Sequence, residues 1–521
     1  MAAPSGSEPA WRSDSFRALS LGTLATLLYL CTAPAVVNPD GLGYLKLLPH
    51  NFAAGHLLYM PLLRAATHLV GDGLRAGRLV NALLGGTGVV LMYGIVRRTL
   101  AALPLGRPYA ASDVRFAATF AAAGLAVSYG YWVQGSDVEA YATAMVALLC
   151  TVRLLLAYRA QPTLLRALAV GLFLGLSVLC HLTHVLLTPL VFAFIYAHAP
   201  TRKRGAGHAA IAVGLGGVLA IDLYAYAAFA VRLADWRGAL AWIGTAAHGF
   251  YYGGGAYRLA DAIYGLAKSI VWSPYLYEAD AQKLVGQLLL GLVPLLGFAT
   301  LLWSRRRALP PLPWRLGLTW IAPYTVLGIF FFGSDSERWL FVMPALWLAA
   351  AALVALRPDR LRVAVVALAW IGLFNFTTGI WPAHRDDWPK KQAIAAGAQL
   401  HDGDLVIFPG HSWDEYVSFY AKAKVEPFPI VYYAARDGAR AGWERLARDA
   451  ARVRAHGGHL YAIRIFDDDP DPRGWAELAA LGLDRQKVRD YFTARFTVTP
   501  VADRDAYARE SVVRLDWRRS P

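Results

Sequence analysis

The residues of this chain best suited to chemistry lie at the ends of long apolar runs. Asp40 sits in Asn38-Pro-Asp-Gly-Leu-Gly-Tyr, just after the first run. Pro-Asp-Gly alone is a turn signal. A carboxylate held at a membrane surface can also act as general base, taking a proton from an acceptor hydroxyl while a lipid-linked donor lies alongside. Asp137 and Glu139, in Trp132-Val-Gln-Gly-Ser-Asp-Val-Glu-Ala-Tyr, stand at the start of another run. Acids there suit the helix dipole. An acid on a spanning helix still costs about 2.5–3.5 kcal/mol at the centre and less near the end. That cost makes capping and function comparable readings for Asp137 and favours function for Glu139.

Histidine and arginine come next. His181 and His184 are three apart and share one helix face. No carboxylate motif accompanies them, so a hydrogen-bonded histidine lining a cavity is a better reading than a metal pair. Arg338 follows Asp335 and Glu337 and opens an apolar run. It is either half of a surface ion pair or a phosphate clamp, since the guanidinium fork matches phosphate oxygens. Lys46, His50 and Arg64 are further candidates for the same anion. Tyr251-Tyr-Gly-Gly-Gly and Trp272-Ser-Pro-Tyr-Leu-Tyr-Glu read first as an interfacial aromatic loop, and second as a loop closing over a sugar or lipid.

The elements that must position these residues are membrane spans. Of 521 residues, 57% are hydrophobic and 17% charged, against about 45–50% and 25% in soluble domains. This excludes a purely soluble enzyme, a disordered scaffold and a coiled coil. The 17 Trp and 26 Tyr suit long membrane–water interfaces. Cys31, Cys150 and Cys180 all fall in apolar runs, which implies neither a disulfide framework nor a metal site. Runs of about 20 apolar residues place eleven spans, near 17–37, 79–97, 115–133, 139–158, 165–181, 183–199, 209–231, 283–303, 315–333, 339–356 and 362–381.

Charge orients them. From His384 onward there are 22 Lys and Arg against 21 Asp and Glu, so nearly all of the net charge of +15 lies in the apolar part. With the N-terminus in the cytoplasm, alternate loops carry Arg97, Arg98 and Arg107; Arg159; Arg202, Lys203 and Arg204; Arg305, Arg306 and Arg307; and Arg357, Arg360 and Arg362. All obey the positive-inside bias. No basic run is interleaved with a polar fold, so nucleic acid is excluded. The opposite loops collect the acids, histidines and aromatics, so chemistry belongs outside. The plan is a disordered cytoplasmic N-terminus over 1–16, a transmembrane domain over 17–381 and an extracytoplasmic domain over 382–521. In that tail Gly403-Asp-Leu-Val-Ile-Phe-Pro and His459-Leu-Tyr-Ala-Ile-Arg-Ile predict core strands. Residues 413–422 and 438–456 predict helices, giving a small soluble α/β domain.

These motifs resemble the GT-C superfamily of membrane glycosyltransferases, closest to the branch of the protein O-mannosyl-transferases. Members have an Asp in the first external loop and then His-Pro-Pro-Gly-Tyr-Pro-Leu. Here Asp40 is followed by His56-Leu-Leu-Tyr-Met-Pro-Leu. The Arg and Asn that open the family's next span are similar to Arg78-Leu-Val-Asn81. Its Trp-x-Gln and Glu-x-Tyr are matched by Trp132, Gln134, Glu139 and Tyr141. Its Gly-Leu and His-x-Thr are matched by Gly175-Leu and His181-Leu-Thr183. The chain departs from the family at Gly43, where members have a second acid, and at Leu57 and Leu58, where they have prolines. The resemblance covers about 17–200.

It implies an α-helical polytopic membrane protein that moves mannose or another hexose from a polyprenyl-phosphate donor to a protein hydroxyl or a cell-envelope glycan. Asp40 would be the base. Glu139, Asp137 and His56 would shape the acceptor side or hold Asp40. Tyr141 and His181 would line the substrate site, and Arg338 would bind the lipid phosphate. No cofactor beyond the lipid-linked donor is expected, and metal dependence is not favoured. Two rivals stand beside this reading. An O-antigen ligase or polymerase would use external Arg and His in the 232–282 loop. A lipid or solute transporter would call for mid-helix charges or inverted repeats.

Overall fold

The computed structural model describes residues 10–48, 52–102, 111–231, 233, 235–245, 258–272, 311–330, 333, 335–355, 361–410, 413–466, 475, 478–479, 481–501 and 512–518. The span expected at 283–303, the Tyr251–Gly255 loop, the 273–278 segment and His50 lie outside them. The chain divides into two compact units. One comprises 1–34, 47–247 and 254–385; the other comprises 35–46 and 386–521, with a short piece at 248–253.

The first unit is helical. Gly73–Ala101, Tyr141–Ala160, Arg202–Ala230 and a run beginning at Arg362 are long and apolar enough to cross a membrane. Leu164–Cys180, Leu182–His198, Leu316–Phe330 and Met343–Ala355 are shorter apolar helices. The first helix starts at Ala10, not near residue 17, so the last part of the N-terminus read as disordered is helical. Its one acid, Asp14, is neutralised by Arg97 and accepts a hydrogen bond from Tyr93 Oη at 3.1 Å. That pairing lets the helix extend past its apolar run.

Two local features shape the bundle. Helices Ala10–Cys31 and Gly73–Ala101 meet where both lack a Cβ. A methyl added at Gly86 would stand 2.5 Å from the Gly22 carbonyl oxygen, and one at Gly22 would stand 2.8 Å from that of Gly86. Small residues allow such approach within a membrane. The run expected as one span over 115–133 is instead two helices, Ala111–Val127 and Tyr129–Ser136, bent by 64°. Ser128 at the break is extended and buried. Its hydroxyl donates to Gly124 O at 2.7 Å and accepts from Trp347 Nε1 at 3.0 Å. Fully buried Asn375 donates to Val127 O and Ile270 O, both at 2.8 Å. The Gly124 and Val127 carbonyls at the bend are thereby satisfied, as a membrane interior requires.

In the second unit helix Pro39–Lys46 accompanies a five-stranded sheet. Its strands are β1 (Leu405–Phe408), β2 (Glu426–Pro429), β3 (Leu460–Ile463), β4 (Phe496–Pro500) and β5 (Val512–Trp517), in the order β2-β1-β3-β5-β4. β1 is parallel to β2 and β3, whereas β5 is antiparallel to β3 and β4. All of β1 is buried. Leu405 and Ile407 enter one core with Leu446 and Phe492, while Val406 and Phe408 enter another with Val417 and Ala393. Both faces are covered, as expected for parallel strands. Buried Asp404 ties the strand entrances together: Oδ1 accepts His459 N at 2.8 Å and Oδ2 accepts His401 N at 2.7 Å.

Candidate active site

In the first unit the bend at Ser128 delivers the Trp132–Tyr141 motif to the end of the bundle. Asp137 caps the C-terminus of helix Tyr129–Ser136, and the next helix begins at Tyr141. It therefore closes one helix and does not open the span that follows. Its Oδ1 accepts Val138 N at 2.8 Å. Asn81 reaches this turn from helix Gly73–Ala101. Its Nδ2 donates to Asp137 O at 2.7 Å and to Glu139 O at 2.6 Å. One amide thus fixes the carbonyls on both sides of Val138 and sets the direction of fully buried Glu139. Arg78, one turn earlier, donates to Pro34 O.

Opposite lies the Asp335–Trp339 turn. Asp335 caps it by accepting Glu337 N at 3.0 Å, and its carboxylate lies 3.6 Å from Arg338 Nε. Gln134 Nε2 donates to Glu337 Oε1 at 3.1 Å. Two acids, an amide and a guanidinium therefore converge from segments about 200 residues apart. The charges of Glu337, Arg338, Asp335 and Glu139 all bear on Tyr141.

Tyr141 joins them to a histidine cluster. Its ring centroid lies 5.9 Å from that of His56 and 5.1 Å from that of His181, with His56 and His181 4.8 Å apart. Phe341 closes the group, 5.0 Å from His181 and 4.3 Å from His184. The partners of each imidazole decide its role. His184 Nε2 faces the Ala144 carbonyl at 3.2 Å and must donate to it, so Nδ1 accepts from Tyr324 Oη at 2.6 Å. Both nitrogens are used, which leaves neither for an ion. His181 Nδ1 lies 3.3 Å from Thr183 N, which can only donate, and 2.7 Å from Thr183 Oγ1. The proton is then on Nε2, which is buried and has no hydrogen-bond partner among the described residues. His181 thus offers a preset N–H donor. His56 Nδ1 lies 3.3 Å from Cys180 O.

In the second unit Asp40 sits exposed in the first turn of helix Pro39–Lys46. Asn38 Oδ1 accepts Gly41 N at 2.7 Å and starts that helix. Lys46 pairs with Glu415 at 2.6 Å. Arg64, in the first unit, gives Nε and Nη2 to Leu48 O at 3.2 and 2.7 Å. Two of the candidates for an anion are thus engaged with the chain itself. The sequence reading assigned no task to Asn81, Gln134, Glu337, Thr183, Tyr324 or Phe341. Asn81, Gln134 and Thr183 did stand in the motifs; Tyr324 and Phe341 are ordinary aromatics of apolar runs and carry no local signal.

A crystal structure of ArnT from Cupriavidus metallidurans bound to undecaprenyl phosphate matches 95% of this chain and 97% of its own, with TM-score 0.54 and 14% identity. The chain shares the fold of that structure. A likeness of that kind, end to end, extends the resemblance well past the 17–200 stretch that carried the motifs. A crystal structure of the Archaeoglobus fulgidus oligosaccharyltransferase in complex with Zn and sulfate matches 95% of this chain and 73% of its own, at TM-score 0.49 and 12% identity. The Saccharomyces cerevisiae protein O-mannosyltransferase Pmt1-Pmt2 complex bound to the sugar donor matches 44% and 35%, at TM-score 0.36 and 16% identity. No family model and no curated protein matches the sequence.

Proposed function

We propose that this GT-C chain is an inverting membrane glycosyltransferase. It moves mannose or another hexose from a polyprenyl-phosphate donor to a protein hydroxyl or cell-envelope glycan on the extracytoplasmic face. The observation that carries this reading is the end-to-end fold likeness to a structure that holds undecaprenyl phosphate. The chemistry of the residues supports it. Asp40 is an exposed carboxylate on a capped helix, suited to meeting an acceptor that arrives from outside. It takes the acceptor's hydroxyl proton while that oxygen attacks the anomeric carbon. The bond to the phosphate oxygen breaks on the opposite face, and polyprenyl phosphate leaves with the electron pair.

Arg338 neutralises the departing phosphate, and His181 Nε2–H donates to the donor's polar edge. Donors fixed in advance act where charge develops and need no reorganisation. Glu139 and Asp137, held through Asn81, shape the wall on the acceptor side with His56 and Tyr141. The test is transfer of labelled hexose from polyprenyl-phosphate hexoses into membrane extract. Asp40→Asn is expected to abolish transfer with folding intact, and Arg338→Gln to lower it by about a hundredfold. Transfer by Asp40→Asn equal to that of the parent chain would remove Asp40 from the mechanism.

A further inference from the structure

The helix carrying Asp40 has eight residues, and isolated helices below about 12 residues are marginal in water. It needs a support, and the second unit contains one. The helix packs against helix Trp413–Tyr420 of the tail. Lys46, in its last turn, puts Nζ 2.6 Å from Glu415 Oε2, with the two side chains 34% and 18% exposed. The supporting helix is fixed in turn. Val417 is fully buried and packs with Phe408 of β1 and Ala393 of helix Trp388–Gly397. The Arg464 guanidinium lies 4.9 Å from the Trp413 ring centroid. Arg464 follows β3 directly with φ of +63°, the one positive φ at a non-glycine residue among the described residues. Backbone strain of that kind persists only where the surroundings over-determine it.

We propose that the tail is a positioning element for the reaction: Glu415 clamps Lys46 and so sets the attitude of the helix that presents Asp40. This rests on the reading of Asp40 as the base. It moves Lys46 from the anion site to the clamp, because a lysine compensated by a carboxylate is a poor phosphate ligand. Neither Glu415 nor Lys46 touches the reacting atoms; both act through Asp40.

Three variants of the full chain in lipid nanodiscs test it: Glu415→Lys, Lys46→Glu, and the two together. Hydrogen exchange of the 39–46 amides reads the clamp, and transfer from the labelled polyprenyl-phosphate hexose that supports turnover reads its consequence. Each single reversal is expected to speed exchange by about fivefold or more and to lower kcat by about tenfold, with KM for the donor changed by less than about twofold. The double reversal should bring both readouts back to within about twofold of the parent chain. Unchanged exchange in both single variants overturns the clamp. So does a double variant as impaired as Lys46→Glu alone, which would return Lys46 to the anion. Asp40→Asn is run alongside. Full transfer by it defeats the base reading, while exchange still decides the clamp; exchange also decides it where no donor supports turnover.

Discussion

Thr183 determines what His181 can do. Its backbone N–H points at Nδ1, and that leaves the imidazole proton on Nε2, inside the cluster. His181→Phe keeps the ring's volume among Tyr141, His56 and Phe341 but removes the donor. Transfer should fall by about ten- to a hundredfold, toward the range seen when one preorganised donor is lost. Thr183→Val removes only the hydroxyl and keeps the backbone donor, so it should cost much less. The labelled-hexose assay separates the two; equal losses would mean that the hydroxyl, and not the tautomer, is what matters. At this scale the candidates themselves were legible: Asp40, Glu139, His181 and Arg338 are polar groups at the margins of apolar runs, where each polar atom has a cost. Tyr324 was not legible, because its task comes from a histidine 140 residues earlier. The engagement of Lys46 was not legible either, since its partner lies 369 residues away.

The helices that hold these side chains were found more easily than their breaks. The apolar run at 79–97 lies within an observed helix, and those at 139–158 and 209–231 overlap observed helices to within two residues, since length and hydropathy alone mark a crossing. The bend at Ser128 escaped the pattern. No proline marks it, and the groups that hold it, Asn375 on the Val127 carbonyl and Trp347 on the Ser128 hydroxyl, come from helices more than 200 residues later. Helix contact is the more local effect. The Gly22–Gly86 approach leaves no space for a side chain: beside the Val90 and Thr26 side chains, the facing carbonyls of Gly86 and Gly22 are backbone that cannot rotate away. Gly86→Val should separate helices Ala10–Cys31 and Gly73–Ala101 and cost about 1–3 kcal/mol, as overpacking does. The check is a clear fall in the thermal midpoint of the purified protein in detergent. Gly214→Val, on the long helix Arg202–Ala230 where an added Cβ meets nothing within 4 Å, should leave the midpoint nearly unchanged.

Orientation belongs to the molecule as a whole. Arg202, Lys203 and Arg204 stand exposed at the start of a long apolar helix, and the positive-inside bias predicts that this end is cytoplasmic. Counting the expected spans puts residues after Trp381 on the other side. Single cysteines at Arg202 and at His401, with Cys31, Cys150 and Cys180 replaced, should react with an impermeant maleimide from opposite sides of sealed vesicles. Labelling of both from one side would refute the span count. The tail's α/β character was legible from its alternating strand and helix patterns, and both expected strands appear as β1 and β3. Its antiparallel half was not, because β4 and β5 are part-polar. Strand β2 has a consequence of its own for this tail. Glu426 N turns inward to Asp404 O, so by the alternation of a strand Phe428 also faces β1 while residues 427 and 429 face outward. Both of these are proline. The outer side of β2, one of the two edges among the described strands, thus presents carbonyls and no amide donor at either position, which disfavours addition of an extended segment from a neighbouring molecule as a further strand. On a crowded membrane surface that border resists aggregation through its covalent structure alone.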